Sequence, residues 1–62
     1  MVAKLPETEN TYGNIVEADT DGDIYITEYD EKADREIESI CISKSNLPTL
    51  IRALQKLQRG EI

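Results

Sequence analysis

Isoleucine alternates with other residues over two short stretches, and that period of two limits the chain to a small set of folds. In DIYITEY, residues 23–29, Ile24 and Ile26 fall on one side and Tyr25, Thr27 and Tyr29 on the other. In IESICIS, residues 37–43, Ile40 and Ile42 oppose Ile37, Ser39 and Cys41. Strict alternation is the pattern of a strand with one apolar face. The shorter NIVEA, residues 14–18, carries β-formers and precedes an Asp21-Gly22 turn signal.

The pattern also sets register. A two-residue loop at Asp21-Gly22 places Glu17 opposite Ile26, on the apolar face. A three-residue loop, Thr20 to Gly22, places Val16 opposite Ile26 and Ala18 opposite Ile24. A slip of one residue turns every side chain over, so the apolar match selects the three-residue loop, with Gly22 in the left-handed conformation. Pairing Ile26 with Ile40 puts Tyr25 opposite Cys41 and Tyr29 opposite Ile37.

Residues 47–59 change period. Leu47, Leu50, Ile51, Leu54 and Leu57 follow helical spacing, and Arg52, Lys56 and Arg59 lie off that stripe. Ser45 or Asn46 is placed to cap this helix, Pro48 falls in its first turn and Gly60 ends it. The stretch DEKADREIESI also sets Ala33, Ile37 and Ile40 at helical spacing. The alternation within IESICIS favours a connection followed by a strand, with a short helical turn at 31–36 as a variant. The expected fold is α+β: a three-stranded antiparallel meander, then one C-terminal amphipathic helix packed on the isoleucine face. Residues 1–13 show no period and read as a flexible N-terminal arm; residues 14–62 read as one small domain.

At 62 residues there is room for one domain, and a chain of that size buries roughly 60% of its unfolded surface, a marginal core. The single cysteine, Cys41, rules out an internal disulfide, and MVAKLPETEN has no apolar signal segment. No apolar run suits a membrane span. A cytoplasmic protein that does not engage membranes is the expectation.

Charge is unevenly placed. Residues 1–38 carry twelve acids against three bases, a net −9; residues 39–62 carry four bases against one acid, a net +3. The acids Glu17, Asp19, Asp21, Asp23, Glu28, Asp30 and Glu31 gather around the turns, and the bases Lys44, Arg52, Lys56 and Arg59 lie in or beside the helix. Bases near a helix C-terminus complement its dipole and keep its outer face soluble. A nucleic-acid binder is usually basic, whereas this chain is acidic, so nucleic-acid binding through these bases is disfavoured.

Catalysis is not expected. With no histidine there is no imidazole base and no means of activating Cys41, which falls in mid-strand. One cysteine and no histidine do not make a zinc site. No cofactor is expected, because the three glycines are isolated and form no phosphate loop.

Residues 17–28, EADTDGDIYITE, resemble the EF-hand calcium loop, with Glu17, Asp19 and Asp21 in the early acidic positions, Gly22 at the bend, Ile24 after it and Glu28 last. The resemblance implies weak calcium binding at Glu17, Asp19, Asp21 and Glu28. Two features depart from that family: Glu17 stands where aspartate is usual, and TYGNIV and YDEKAD on either side carry no apolar helical face. No dedicated metal site is expected.

The tail ESICISKSNLPTLIRALQKL resembles the end of the positive-cofactor family of transcriptional coactivators, which bind single-stranded DNA with antiparallel strands followed by one helix. The resemblance implies strands and then a helix. The basic strand residues of that family are absent, Asp23 and Glu28 standing in this strand instead, so no binding residue is transferred.

The face away from the isoleucines combines Ile15, Tyr25, Tyr29, Ile37 and Cys41 with Thr27 and Ser39. That is apolar for a wet sheet face. The functional expectation is a small acidic non-enzymatic protein that forms a dimer or larger homo-oligomer, uses this face as its interface and acts on a protein partner. A second expectation is an acidic mimic of nucleic acid that occupies a DNA- or RNA-binding protein, as in the small acidic proteins of phages and mobile elements that this composition resembles. The third is the disfavoured nucleic-acid binding through the helix bases.

Overall fold

The computed structural model describes residues 2–61. Four antiparallel strands, β1 (Ala3–Leu5), β2 (Gly13–Ala18), β3 (Ile24–Asp30) and β4 (Arg35–Ile42), lie side by side in sequence order. A 3-10 turn, Lys44–Asn46, leads into the single helix α1, Leu47–Gln58. The class is α+β, but the strand count differs from expectation. Ala3–Leu5 pairs with β2, Ala3 against Val16 and Leu5 against Asn14. Three residues are too few for a period to show. What holds this edge is pairwise: Val2 N–H donates to the Val16 carbonyl at 2.8 Å, and Lys4 Nζ lies 3.3 Å from the Glu31 carboxylate.

The β2–β3 register follows the apolar match, with Val16 opposite Ile26 and Ala18 opposite Ile24. The loop is the three-residue one: Asp19 and Asp23 close it through an N–H to carbonyl bond of 3.1 Å. Gly22 sits at φ +88°, in the left-handed region that a side chain with a Cβ adopts only at a cost.

Between β3 and β4, Ile26 faces Ile40 and Tyr25 faces Cys41, as the pattern requires. The Tyr29–Ile37 pairing is not found. A bulge follows Glu28, so that Tyr29 faces Glu36 and Ile37 is the additional residue. The turn that closes this hairpin brings Asp34 to φ 55°, and Asp30 holds it by accepting from the N–H groups of Lys32 and Ala33 at 3.0 and 3.2 Å. Residues 31–34 form turns and β4 begins at Arg35, so the connection followed by a strand is found and the variant, a short helical turn at 31–36, is not.

The helix differs most from expectation. Its bounds agree with the leucine period, and Gly60 and Glu61 close its end, the Glu61 N–H bonding to the Lys56 carbonyl at 3.0 Å. Of the two expected cap residues, Asn46 holds the N-cap position of α1, but without a side-chain cap bond. Ser43 Oγ accepts from the Ser45 N–H and caps the 3-10 turn, while Asn46 has helical backbone angles. The helix does not lie on the sheet. Its main contact is with the 3-10 turn, and Ile40 on the sheet and Leu54 and Leu57 on the helix stay 56%, 54% and 55% exposed.

Among the described residues no apolar side chain is buried. The radius of gyration is 13.0 Å, against about 10.5 Å for a compact chain of this length. The accessible surface is 5041 Å², where a compact chain of 7.0 kDa exposes about 4,000 Å².

Candidate interaction surfaces

Strand alternation sorts the side chains into two faces. The isoleucine face holds one cross-strand row of Ala3, Val16, Ile26 and Ile40, and a second row of Ala18, Ile24 and Ile42. A third row, Leu5, Asn14, Glu28 and Glu38, turns polar toward the other end. On the opposite face Ile15 pairs with Thr27, and Thr27 with Ser39; Glu17, Tyr25 and Cys41 form the next row.

The five residues expected as the interface, Ile15, Tyr25, Tyr29, Ile37 and Cys41, share this second face through their register and the bulge. Thr27, in their midst, is buried to 6% exposure, and its hydroxyl lies 3.0 Å from Ser39 Oγ. Tyr25 Oη donates to Asp19 Oδ2 at 3.4 Å, and Tyr29 Oη donates to the Asp34 carboxylate. Both phenols are held above the ordinary tyrosine pKa. For Tyr25 the hydrogen bond with Cys41 is the main cause, followed by the charges of Cys41 and Asp19. For Tyr29 the bond to Asp34 leads, followed by desolvation and neighbouring carboxylate charge.

Tyr25 and Ile37 are exposed on this face, at 38% and 37%, and the more open apolar groups of the helix and the isoleucine face lie elsewhere. The stripe of α1 presents Ile51, Leu54 and Leu57 to solvent, and the isoleucine face presents Ile40. The sequence marks both surfaces as apolar. It does not reveal that they fail to meet within one chain, because periodicity gives the faces of two elements and not the angle between them.

Several of the clustered carboxylates have structural tasks. Asp19 Oδ1 accepts from the N–H groups of Asp21 and Asp23 at 2.9 and 3.0 Å, replacing backbone acceptors in the tight turn. Asp23 Oδ1 accepts from the Lys44 N–H at 2.9 Å, Asp30 supports the next turn, and Glu31 pairs with Lys4. Glu17 stands opposite Tyr25, while Glu28 stands opposite Asn14 on the other face of the sheet. The four residues of the calcium reading therefore do not converge, and no group of three potential ligands forms among the described residues.

An open cleft between the 7–12 loop and the β3–β4 turn is lined by Glu7, Glu9, Tyr12, Glu28, Asp30 and Lys32 among others. Arg52 and Lys56 project from α1 opposite its apolar stripe, Arg52 contacting Thr49 Oγ1 at 3.4 Å. Arg59 at the helix end bonds to Glu61, and Lys44 lays its side chain over Gly22. The four bases therefore differ in surroundings: Lys44 and Arg59 lie beside other groups of the chain, and Arg52 and Lys56 lie on the outer side of α1. Cys41 is a free, exposed thiol. No helix among the described residues is long and apolar enough to cross a membrane. Comparison of the chain with protein-family models, with curated proteins and with solved structures returns no match.

Proposed function

We propose that this is a non-catalytic protein that acts through protein–protein contact, and that the first protein it binds is another copy of itself. One observation carries the reading: no apolar side chain among the described residues is buried, while Ile40, Ile51, Leu54 and Leu57 stand open on two separate surfaces. Burial of apolar area is the main favourable term in folding, and a fold that omits it within one chain obtains it between chains. A non-catalytic role is supported by the tasks of Asp19, Asp23 and Asp30, which serve backbone N–H groups, and by the lack of any histidine to activate Cys41.

Light scattering coupled to size exclusion tests the reading. The expected mass is at least twice the chain mass of 7.0 kDa, with a thermal midpoint that rises with protein concentration. A mass of one chain at all concentrations overturns it.

A further inference from the structure

We infer that two copies assemble by exchange, α1 of each lying across the isoleucine face of the other. This rests on the self-association proposed above and adds which surfaces meet. The chain offers two apolar surfaces that it does not bury itself: the α1 stripe, where Ile51, Leu54 and Leu57 are exposed, and the isoleucine face, where Ile40 is exposed and Val16, Ile24, Ile26 and Ile42 are half-buried. Pairing helix with helix leaves the isoleucine rows wet. Pairing sheet with sheet leaves the stripe wet. Seating each helix on the other copy's sheet covers both with a single two-fold axis, and a two-fold interface places the same contacts on both sides.

Size and charge agree with this arrangement. A 12-residue helix is about 18 Å long, and four strands span about 14 Å between the outermost two. The chain exposes about 1,000 Å² beyond a compact protein of its mass, and a stable interface covers about 800 Å² per partner. Arg52 and Lys56 lie on the side of α1 away from the stripe, so seating the stripe buries neither charge.

The connection opposes closure onto the chain's own sheet. Ser43 caps the 3-10 turn, and Lys44 N–H is tied to Asp23 Oδ1 at 2.9 Å, so the start of α1 is fixed to the β2–β3 loop. A short, pinned connection between two apolar elements favours exchange over folding back.

Disulfide trapping in the full chain tests the arrangement. In a Cys41→Ser background, Ile40→Cys is combined with Leu50→Cys, Leu54→Cys or Leu57→Cys, and each double variant is oxidised. The expected product on a non-reducing denaturing gel is a covalent dimer, with peptide mapping showing position 40 joined to a helix position. A bridged monomer overturns the exchange in favour of closure. Cross-linking only between identical helix positions, seen also in the single variants, overturns it in favour of helix pairing, and no cross-link from position 40 in any combination overturns it as well. Mixing Ile40→Cys chains with Leu54→Cys chains covers the case in which a double variant does not fold; a joined heterodimer is expected, and none overturns the proposal. A dimer that gives no such bridge refutes the exchange alone, whereas a monomeric natural chain refutes the self-association too.

Discussion

The backbone N–H of Lys44 donates to Oδ1 of Asp23 at 2.9 Å, joining residues 21 apart in sequence. This bond links the β2–β3 loop to the entry of α1. Asp23→Ala removes the acceptor and is expected to lower the unfolding free energy by about 1 kcal/mol, the usual cost of a lost side-chain cap. Asp23→Asn keeps an oxygen in place and is expected to cost less. Urea denaturation of the three proteins at one concentration checks the order.

Gly22 in the same loop has φ +88°, and a Cβ there meets Lys44 Cδ at 2.9 Å. The Lys44 side chain is flexible and can move, so the backbone conformation sets most of the penalty. Gly22→Ala is expected to cost about 1–2 kcal/mol, and Gly22→Asn less, since asparagine tolerates this conformation. Thermal unfolding of both variants checks it.

The bond between the Tyr29 hydroxyl and the Asp34 carboxylate favours the neutral phenol, which raises its folded pKa. The stability this contributes is fully present below the unfolded value of about 10, and is lost as pH rises through the higher folded value. Asp34→Asn removes the charge while suiting φ 55°. Phenolate absorbance during an alkaline titration is expected to show Tyr29 ionising at lower pH in the variant than in the natural chain.

Leu54 and Leu57 are exposed within one chain. Substitutions at such positions usually change stability by less than about 0.5 kcal/mol. Under the proposed assembly they are buried, so Leu54→Ala is expected to cost about 2–5 kcal/mol of dimer stability. Leu54→Asp is expected to give a chain of monomeric mass. Concentration-dependent unfolding and light scattering check the two effects.

Glu17 and Glu28 leave the sheet on opposite faces, and Asp19 Oδ1 already accepts two backbone bonds. Millimolar calcium is therefore expected to leave tyrosine fluorescence and thermal stability unchanged. A saturable change in either signal refutes this expectation.

The elements legible in the sequence were those whose period repeats. Ile24, Ile26, Ile40 and Ile42 define two strands and one face, and the match of Val16 to Ile26 selects the hairpin loop. Gly22 and Gly60 marked a turn and a helix end for the same local reason, the backbone conformation each adopts. What stayed hidden was relational. Ala3–Leu5 is too short for a period, and its partner strand fixes it. The bulge after Glu28 moves Tyr29 from Ile37 to Glu36 with no punctuation by glycine or proline. The side-chain cap bond comes from Ser43 and not from Asn46 at the N-cap of α1, because the 3-10 turn begins the helical segment before the leucine period does. The placement of α1 off the sheet was hidden because amphipathicity marks an apolar face and not the angle at which the helix leaves the strand before it.

The absence of a buried apolar side chain among the described residues also bears on the time course of maturation. Under the proposed assembly the core is completed by collision, a second-order step, so the half-time of maturation lengthens as newly made protein becomes more dilute. Before that encounter α1 is held chiefly by its own backbone ladder, and an isolated helix of 12 residues is marginal in water. Unpaired chains are accordingly the form most open to proteases, which act on transiently opened backbone. Abundance would then be self-limiting from below: sparse chains are cleared, and a population is sustained only once encounter outpaces degradation.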